Sequence, residues 1–188
     1  IVVESIQEAF KETLIKTMAG YTMGDPEDPE TTLGPMARID LRNTLHDQVL
    51  KSIEQGATLL LGGALPQEEG YFYPPTVLSE VRPGMPAYEE ELFGPVAAII
   101  SAKDEKEAIA IANDTALGLG GAVFTRDKHR GQSMATQIQA GNVAINSLVQ
   151  SDPRLPFGGT KASGFGRELS IYGIHEFVNI KTIVVHES

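Results

Sequence analysis

Apolar residues recur every fourth position from Ile6 through Phe10 and Leu14 to Met18. That spacing predicts a helix opening at Glu4-Ser5 and stopping at Gly20, behind a short strand over residues 1–3. A second stripe, Leu41, Leu45, Val49 and Ile53, predicts a helix over about residues 39–55 with Gly56 as its cap. Residues 58–61 read as a buried strand by length and apolarity, and residues 70–78, led by Pro74-Pro75, as an edge or a strand start. Val96 to Ile100 reads as a buried strand. Asp104 is placed to cap the following helix with Glu107 answering it, Ala108, Ile109 and Ala112 facing inward and Asn113-Asp114 ending it. Gly118 to Phe124 is the next strand. Asp127 opens a helix carrying Met134 and Ile138 and closed by Gly141, and Asn142 to Asn146 is a further strand. This alternation implies right-handed crossovers and an α/β fold, a largely parallel sheet with helices on both faces. A short helix near residues 171–177 precedes a last strand over residues 180–185, which is expected to leave the main domain and pair with another subunit.

Two loops interrupt this pattern. In the first, Glu89-Glu90-Glu91 runs into Leu92-Phe93 and then Gly94-Pro95. Proline cannot continue a helix or a central ladder, so this is a loop feeding the Val96 strand, where α/β proteins place ligand-binding groups. Three glutamates alone are more often a solvated acidic turn. A large ring two residues after a carboxylate, however, suits a flat ligand that carries hydroxyls. The second loop, residues 146–159, follows a buried strand and ends in Pro156-Phe157-Gly158-Gly159. Loops of that length without secondary structure are functional or disordered, and its apolar content disfavours disorder.

Composition narrows the chemistry. The 188 residues suffice for one large domain, or one and a fragment, with an ample core. Fifteen basic and twenty-five acidic residues leave a net charge of −10, which argues against nucleic acid or an anionic membrane as partner. No apolar run is long enough to span a bilayer and no signal segment opens the chain, so a cytoplasmic location is expected. With no cysteine, the chain excludes disulfides, thiolate zinc sites and any thiol nucleophile of its own. It begins inside an apolar segment without methionine, as if cut from something longer.

Other motifs fail on inspection. Gly24 to Glu30 has acids at intervals, but Pro26 and Pro29 break calcium-loop spacing. Gly158-Gly159 and Gly164 lead to Phe165 rather than lysine, which breaks the Walker pattern, and Gly118-Leu119-Gly120-Gly121 lacks a third fingerprint glycine. His46, His129, His175 and His186 have no partner at metal-ligand spacing, and no serine sits in a nucleophile elbow. No metal site is expected, and the chain by itself offers no nucleophile with a base beside it.

Several blocks nevertheless stand in a telling order. They are Gly24-Asp25-Pro26 with Gly34-Pro35, Tyr73-Pro74-Pro75-Thr76-Val77, and Glu90-Glu91-Leu92-Phe93-Gly94-Pro95-Val96. Ala112-Asn113-Asp114 before Gly118-Leu119 follows, then Pro156-Phe157-Gly158-Gly159 with Lys161, Ser163-Gly164 and Gly166-Arg167-Glu168. Together they resemble the C-terminal part of the NAD(P)-dependent aldehyde dehydrogenase superfamily, and the match spans essentially the whole chain.

The resemblance implies roles. Glu91 matches a glutamate that hydrogen-bonds the nicotinamide ribose, Phe93 an aromatic packed near the nicotinamide, and Phe157 an aromatic lining the aldehyde tunnel. Residues 181–185 resemble the strand that joins the oligomerisation sheet of a homo-oligomer. The run Ser151-Asp152-Pro153-Arg154 before Leu155 looks most like the succinate-semialdehyde dehydrogenases. There Arg154 is placed to clamp a distal carboxylate with Ser147 or Ser151 donating beside it; the plain alternative is an arginine turned to water or to Asp152. By the same resemblance the catalytic cysteine, the general base, the oxyanion-hole asparagine and the nucleotide-binding domain belong to segments that would precede Ile1. Residues 1–179 are thus expected to be a catalytic domain lacking its N-terminal part, with 180–188 the assembly strand, inactive alone. NAD or NADP is expected as cofactor and a small aldehyde as substrate. The rival reading is a stand-alone, non-catalytic assembly or binding module of the same fold.

Overall fold

A computed structural model describes residues 1–67 and 69–187, which fall into two compact units, Ile1–Ala108 and Ile109–Ser188. The first contains β1 (Val2–Val3), α1 (Gln7–Ala19), α2 (Ile39–Glu54), β2 (Thr58–Leu61), β3 (Thr76–Ser79), α3 (Pro86–Glu89), β4 (Val96–Ala98) and β5 (Ser101–Ala102). Helix α4 (Glu105–Asn113) crosses the boundary. The second contains β6 (Gly120–Val123), α5 (Lys128–Ala135), β7 (Asn142–Ile145) and α6 (Ser170–His175).

The first unit is organised on β3, whose four residues are all buried. It runs parallel to β4, with Thr76, Val77 and Leu78 opposite Val96, Ala97 and Ala98, and antiparallel to β2. Successive strand side chains point to opposite faces, so β3 serves two cores. Val77 joins Val2 and Ile99, with Leu14 and Met18 of α1 against them. Leu78 joins Leu45 and Val49 of α2, Tyr73, Val81, Met85 and Ala87. Helices therefore cover both faces of this sheet. Each enclosed aliphatic side chain contributes roughly 1.5–3 kcal/mol.

The second unit pairs β6 and β7 in parallel register from Gly120–Asn142 to Val123–Ile145. Helix α5 packs on both strands. Its Gly131 is required there, since a Cβ would fall 2.9 Å from the Ile145 side chain. Asp127 caps α5 by accepting from the Arg130 N–H at 3.1 Å, and Asp104 accepts from Glu107 N–H at 2.9 Å ahead of α4.

The α/β class and the largely parallel pairing are as expected, though among the described residues the strands divide among three sheets, β1–β5, β2–β3–β4 and β6–β7. Details differ for physical reasons. Residues 58–61, expected to be buried, form an edge strand with Leu59 40% exposed, because β2 has a neighbour on one side only. The proline-led segment becomes the central strand: Pro74 and Pro75 precede the ladder and cost it no donor. On α1 only Leu14 and Met18 reach the core, while Ile6 and Phe10 stay exposed. A 13-residue helix is about 20 Å long and outruns the two- to four-residue strands beneath it. Helix α5 ends before Ile138 because Asn113 captures the following turn, donating to Gln137 O at 2.8 Å and accepting from Gln139 N at 2.7 Å. Residues 180–185, expected as a strand, form none: they are exposed and take part in no ladder within this chain.

Candidate functional site

The acidic loop after α3 is fastened at almost every residue but two. Ser52 of α2 is fully buried and accepts from the Ala87 N–H at 2.9 Å, satisfying a free donor of the first turn of α3. Glu89 accepts from Gly84 N–H at 2.8 Å, and Glu90 accepts from the Gln48 side-chain amide at 2.7 Å. The same amide donates to Glu91 O at 3.3 Å. Leu92 packs on the core, and Gly94 lies so close to Leu45 that a Cβ there would collide with it. Two tight turns, Gly94 N–H to Leu92 O at 2.9 Å and Val96 N–H to Gly94 O at 2.8 Å, then deliver the chain into β4.

What remains is Glu91 and Phe93. The Glu91 side chain is exposed and has no hydrogen-bond partner among the described residues, and Phe93 is 69% exposed. A rigid loop that presents a carboxylate and an apolar ring outward can accept two hydroxyl donors and cover a flat ring. The other two glutamates are structural.

In the second unit, the loop after β7 encloses a pocket of about 370 Å³. Its walls include Asn142, Ser147, Ser151, Asp152, Leu155 and Phe157. Phe157 is fixed by a two-bond antiparallel bridge to Glu168, at 2.9 and 2.8 Å. Asn142 donates from one amide nitrogen to Leu119 O at 3.0 Å and to Gly158 O at 2.9 Å, tying the glycine hinge to the strand. Arg167 donates to Gly159 O at 2.8 Å and Gly166 O at 2.7 Å from the other side.

Three of the four residues expected at the aldehyde, Ser147, Ser151 and Phe157, thus share this pocket. Arg154 does not line it. Its side chain is 87% exposed and its guanidinium forks onto Asp152, Nε to Oδ1 at 2.9 Å and Nη2 to Oδ2 at 2.6 Å. The pair raises the arginine and holds the Asp152 carboxyl below its ordinary range, through the side-chain hydrogen bonds first.

Several supporting residues escape a reading by pattern. Asn146, at φ 54°, accepts from Thr125 N–H and donates to Thr125 O, both at 2.8 Å. Its amide thereby imitates one more ladder residue after β7. Lys161 donates to Asn113 O at 2.9 Å and Thr115 O at 3.0 Å, closing the carbonyl end of α4. Asparagine at a strand end is the one sequence signal for the first; nothing local signals Gln48 or Lys161. His46 has a structural partner, its Nδ1 3.3 Å from the hydroxyl of Tyr73, whose pKa burial pushes up to about 12. Among the described residues no three His, Asp or Glu side chains gather where they could hold a metal, and no helix is long and apolar enough to cross a membrane.

The aldehyde dehydrogenase family model matches residues 1–183. The NAD(P)+ succinate semialdehyde dehydrogenase Sad of Escherichia coli (strain K12) is 52% identical over 183 residues, covering 97% of this chain and 40% of that protein. The NADP(+) succinate-semialdehyde dehydrogenase of Deinococcus radiodurans is 46% identical, covering 97% and 38%. Among solved structures, succinic semialdehyde dehydrogenase from Streptococcus pyogenes in complex with NADP+ superposes with a TM-score of 0.95 at 39% identity, over 99% of this chain and 41% of that one. The betaine aldehyde dehydrogenase of Staphylococcus aureus in complex with NAD+ gives 0.89 at 35% identity, over 94% and 36%. The chain thus spans about two fifths of the length of the relatives it matches.

Proposed function

The chain belongs to the aldehyde dehydrogenase family, and we propose that it supplies the nicotinamide-side and aldehyde-side walls of an enzyme that oxidises succinate semialdehyde with NAD or NADP. The observation that carries this reading is Glu91: alone among three consecutive glutamates it is held outward with its carboxylate unspent. Its two oxygens would accept the ribose hydroxyls, and Phe93 would shield the nicotinamide from water. A nicotinamide held there would supply the hydride acceptor. Phe157 bounds the aldehyde pocket, Ser151 donates into it, Ser147 donates beside it once its hydroxyl turns from Leu148 O, 3.2 Å away, and Arg154 presents positive charge at its loop to the distal carboxylate.

The sequence contains no cysteine, so the thiol nucleophile of the reaction comes from a segment outside these residues. The intact enzyme is therefore this chain joined to, or assembled with, a cysteine-bearing and nucleotide-binding part, and the 188 residues alone are inactive. Residues 180–185 pair with a second copy of the chain: Ile180, Ile183, Val184 and Val185 are exposed, and their backbone is unladdered, as a strand awaiting a partner would be. A cytoplasmic location agrees with this chemistry. In the intact enzyme, Glu91→Gln should raise KM for NAD(P) about tenfold and lower kcat, one carboxylate-to-hydroxyl bond having been weakened. Unchanged cofactor kinetics would remove Glu91 from the site.

A further inference from the structure

We infer that Asp152 is a specificity-determining residue. It is a pocket-wall carboxylate whose charge Arg154 must cancel before an aldehyde carrying its own carboxylate can enter. This rests on the semialdehyde reading above and assigns a role to a residue that reading leaves out. Asp152 lines the same pocket as Ser147, Ser151 and Phe157, and its side chain is 28% exposed; Arg154 is outside the lining and 87% exposed. A bare carboxylate in that wall would repel an anionic substrate and leave an uncharged one unaffected.

The geometry makes the cancellation a built feature. Asp152 and Arg154 flank Pro153 in a turn closed by Leu155 N–H to Asp152 O at 2.9 Å, the arrangement in which proline pre-sets the second position. Ser170 N–H donates to Pro153 O at 3.0 Å and pins the turn from outside. Within it Asp152 Oδ1 accepts from both the N–H and the Nε of Arg154, each at 2.9 Å, and Oδ2 accepts from Nη2 at 2.6 Å. Three donors thus occupy most of the acceptor positions of this carboxylate. The Nη1 side of the guanidinium has no partner among the described residues and stays available to an anion. The wall is thus neutral as a pair, with the positive half outermost.

The test is a double-mutant cycle in the intact enzyme, read as the ratio of kcat/KM for succinate semialdehyde to that for butanal, which has the same carbon count and no charge. Taking a ratio removes general losses of folding or chemistry. Arg154→Ala should lower the ratio on the order of tenfold, because it uncovers Asp152. Asp152→Asn should hold or raise it. The double variant should recover about half or more of the loss on a logarithmic scale, since nothing is left to repel, and stay below wild type by the direct pull of the Arg154 charge. If Asp152 only props Arg154, D152N lowers the ratio as R154A does and the double is no better; that result overturns the inference and leaves the semialdehyde reading standing. A wild-type ratio near one overturns both.

Discussion

Gln48 and Glu90 meet across 2.7 Å, a side-chain amide on α2 donating to a carboxylate on the loop after α3. The same nitrogen reaches Glu91 O at 3.3 Å. One residue thereby ties the Glu90 side chain and the Glu91 carbonyl to α2, while leaving the Glu91 carboxylate free.

Gln48→Ala should consequently cost about 1 kcal/mol of stability. It should also raise KM for the nicotinamide cofactor in the intact enzyme, although Gln48 is given no contact with it. Thermal unfolding and cofactor titration check the two parts. A stability loss with unchanged cofactor KM would show that the loop needs no such tie.

Gly94 and Leu45 are coupled by contact. Gly94→Ala should cost about 1–3 kcal/mol through overpacking, and Leu45→Ala about 2–5 kcal/mol through the cavity it leaves. The double variant should cost less than the sum, because the alanine methyl moves into space the leucine vacated. Urea unfolding of the three variants measures this, and strict additivity would contradict the packing described.

Buried Tyr73 makes stability fall at alkaline pH. Its pKa is raised to about 12 from an ordinary 10.0, so between those values the folded chain keeps a proton that the unfolded chain has lost. The stabilisation is complete below pH 10.0 and drains as pH rises toward 12, by about 2–3 kcal/mol in all. Tyr73→Phe should flatten the alkaline limb of the stability profile, at the cost of the His46 contact at neutral pH. An unchanged alkaline slope would contradict the burial.

Much of this was legible in the pattern of side chains. Asp104 and Asp127 cap the helices their spacing announces, and of the stripe Leu41, Leu45, Val49 and Ile53 the middle two are buried and Ile53 partly so, while Leu41 stays exposed. The two loops singled out by Phe93 and Phe157 do carry the exposed carboxylate and the pocket. What local pattern does not encode is which strand finds two neighbours. Residues 58–61 are more apolar than residues 76–79, yet the latter are central because both partners pair with them. Nor does it encode side-chain amides that bind distant backbone. Gln48, Asn113 and Asn146 act across 21 to 43 positions, and no period relates them to their partners. Arg154 shows the same limit from the other side: its nearest anion is two residues away and takes the fork first.

Residues 180–185 place apolar side chains in solvent, Ile180 at 80% and Val185 at 82%. Val184→Lys with Val185→Lys should shift the intact enzyme toward smaller species in sedimentation velocity while the far-ultraviolet spectrum is retained. An unaltered sedimentation profile would free this segment from any role in assembly.

The proposed function divides the labour: residues that would grip the cofactor and bound the aldehyde are here, and the sulfur that would react is not. Appearance of reduced nicotinamide with succinate semialdehyde, followed by absorbance in the purified 188-residue chain and in the intact enzyme side by side, tests it most directly. The account predicts no turnover by the chain alone, and turnover by the intact enzyme that Glu91→Gln impairs. Turnover by the cysteine-free chain, or an intact enzyme indifferent to Glu91, would contradict it.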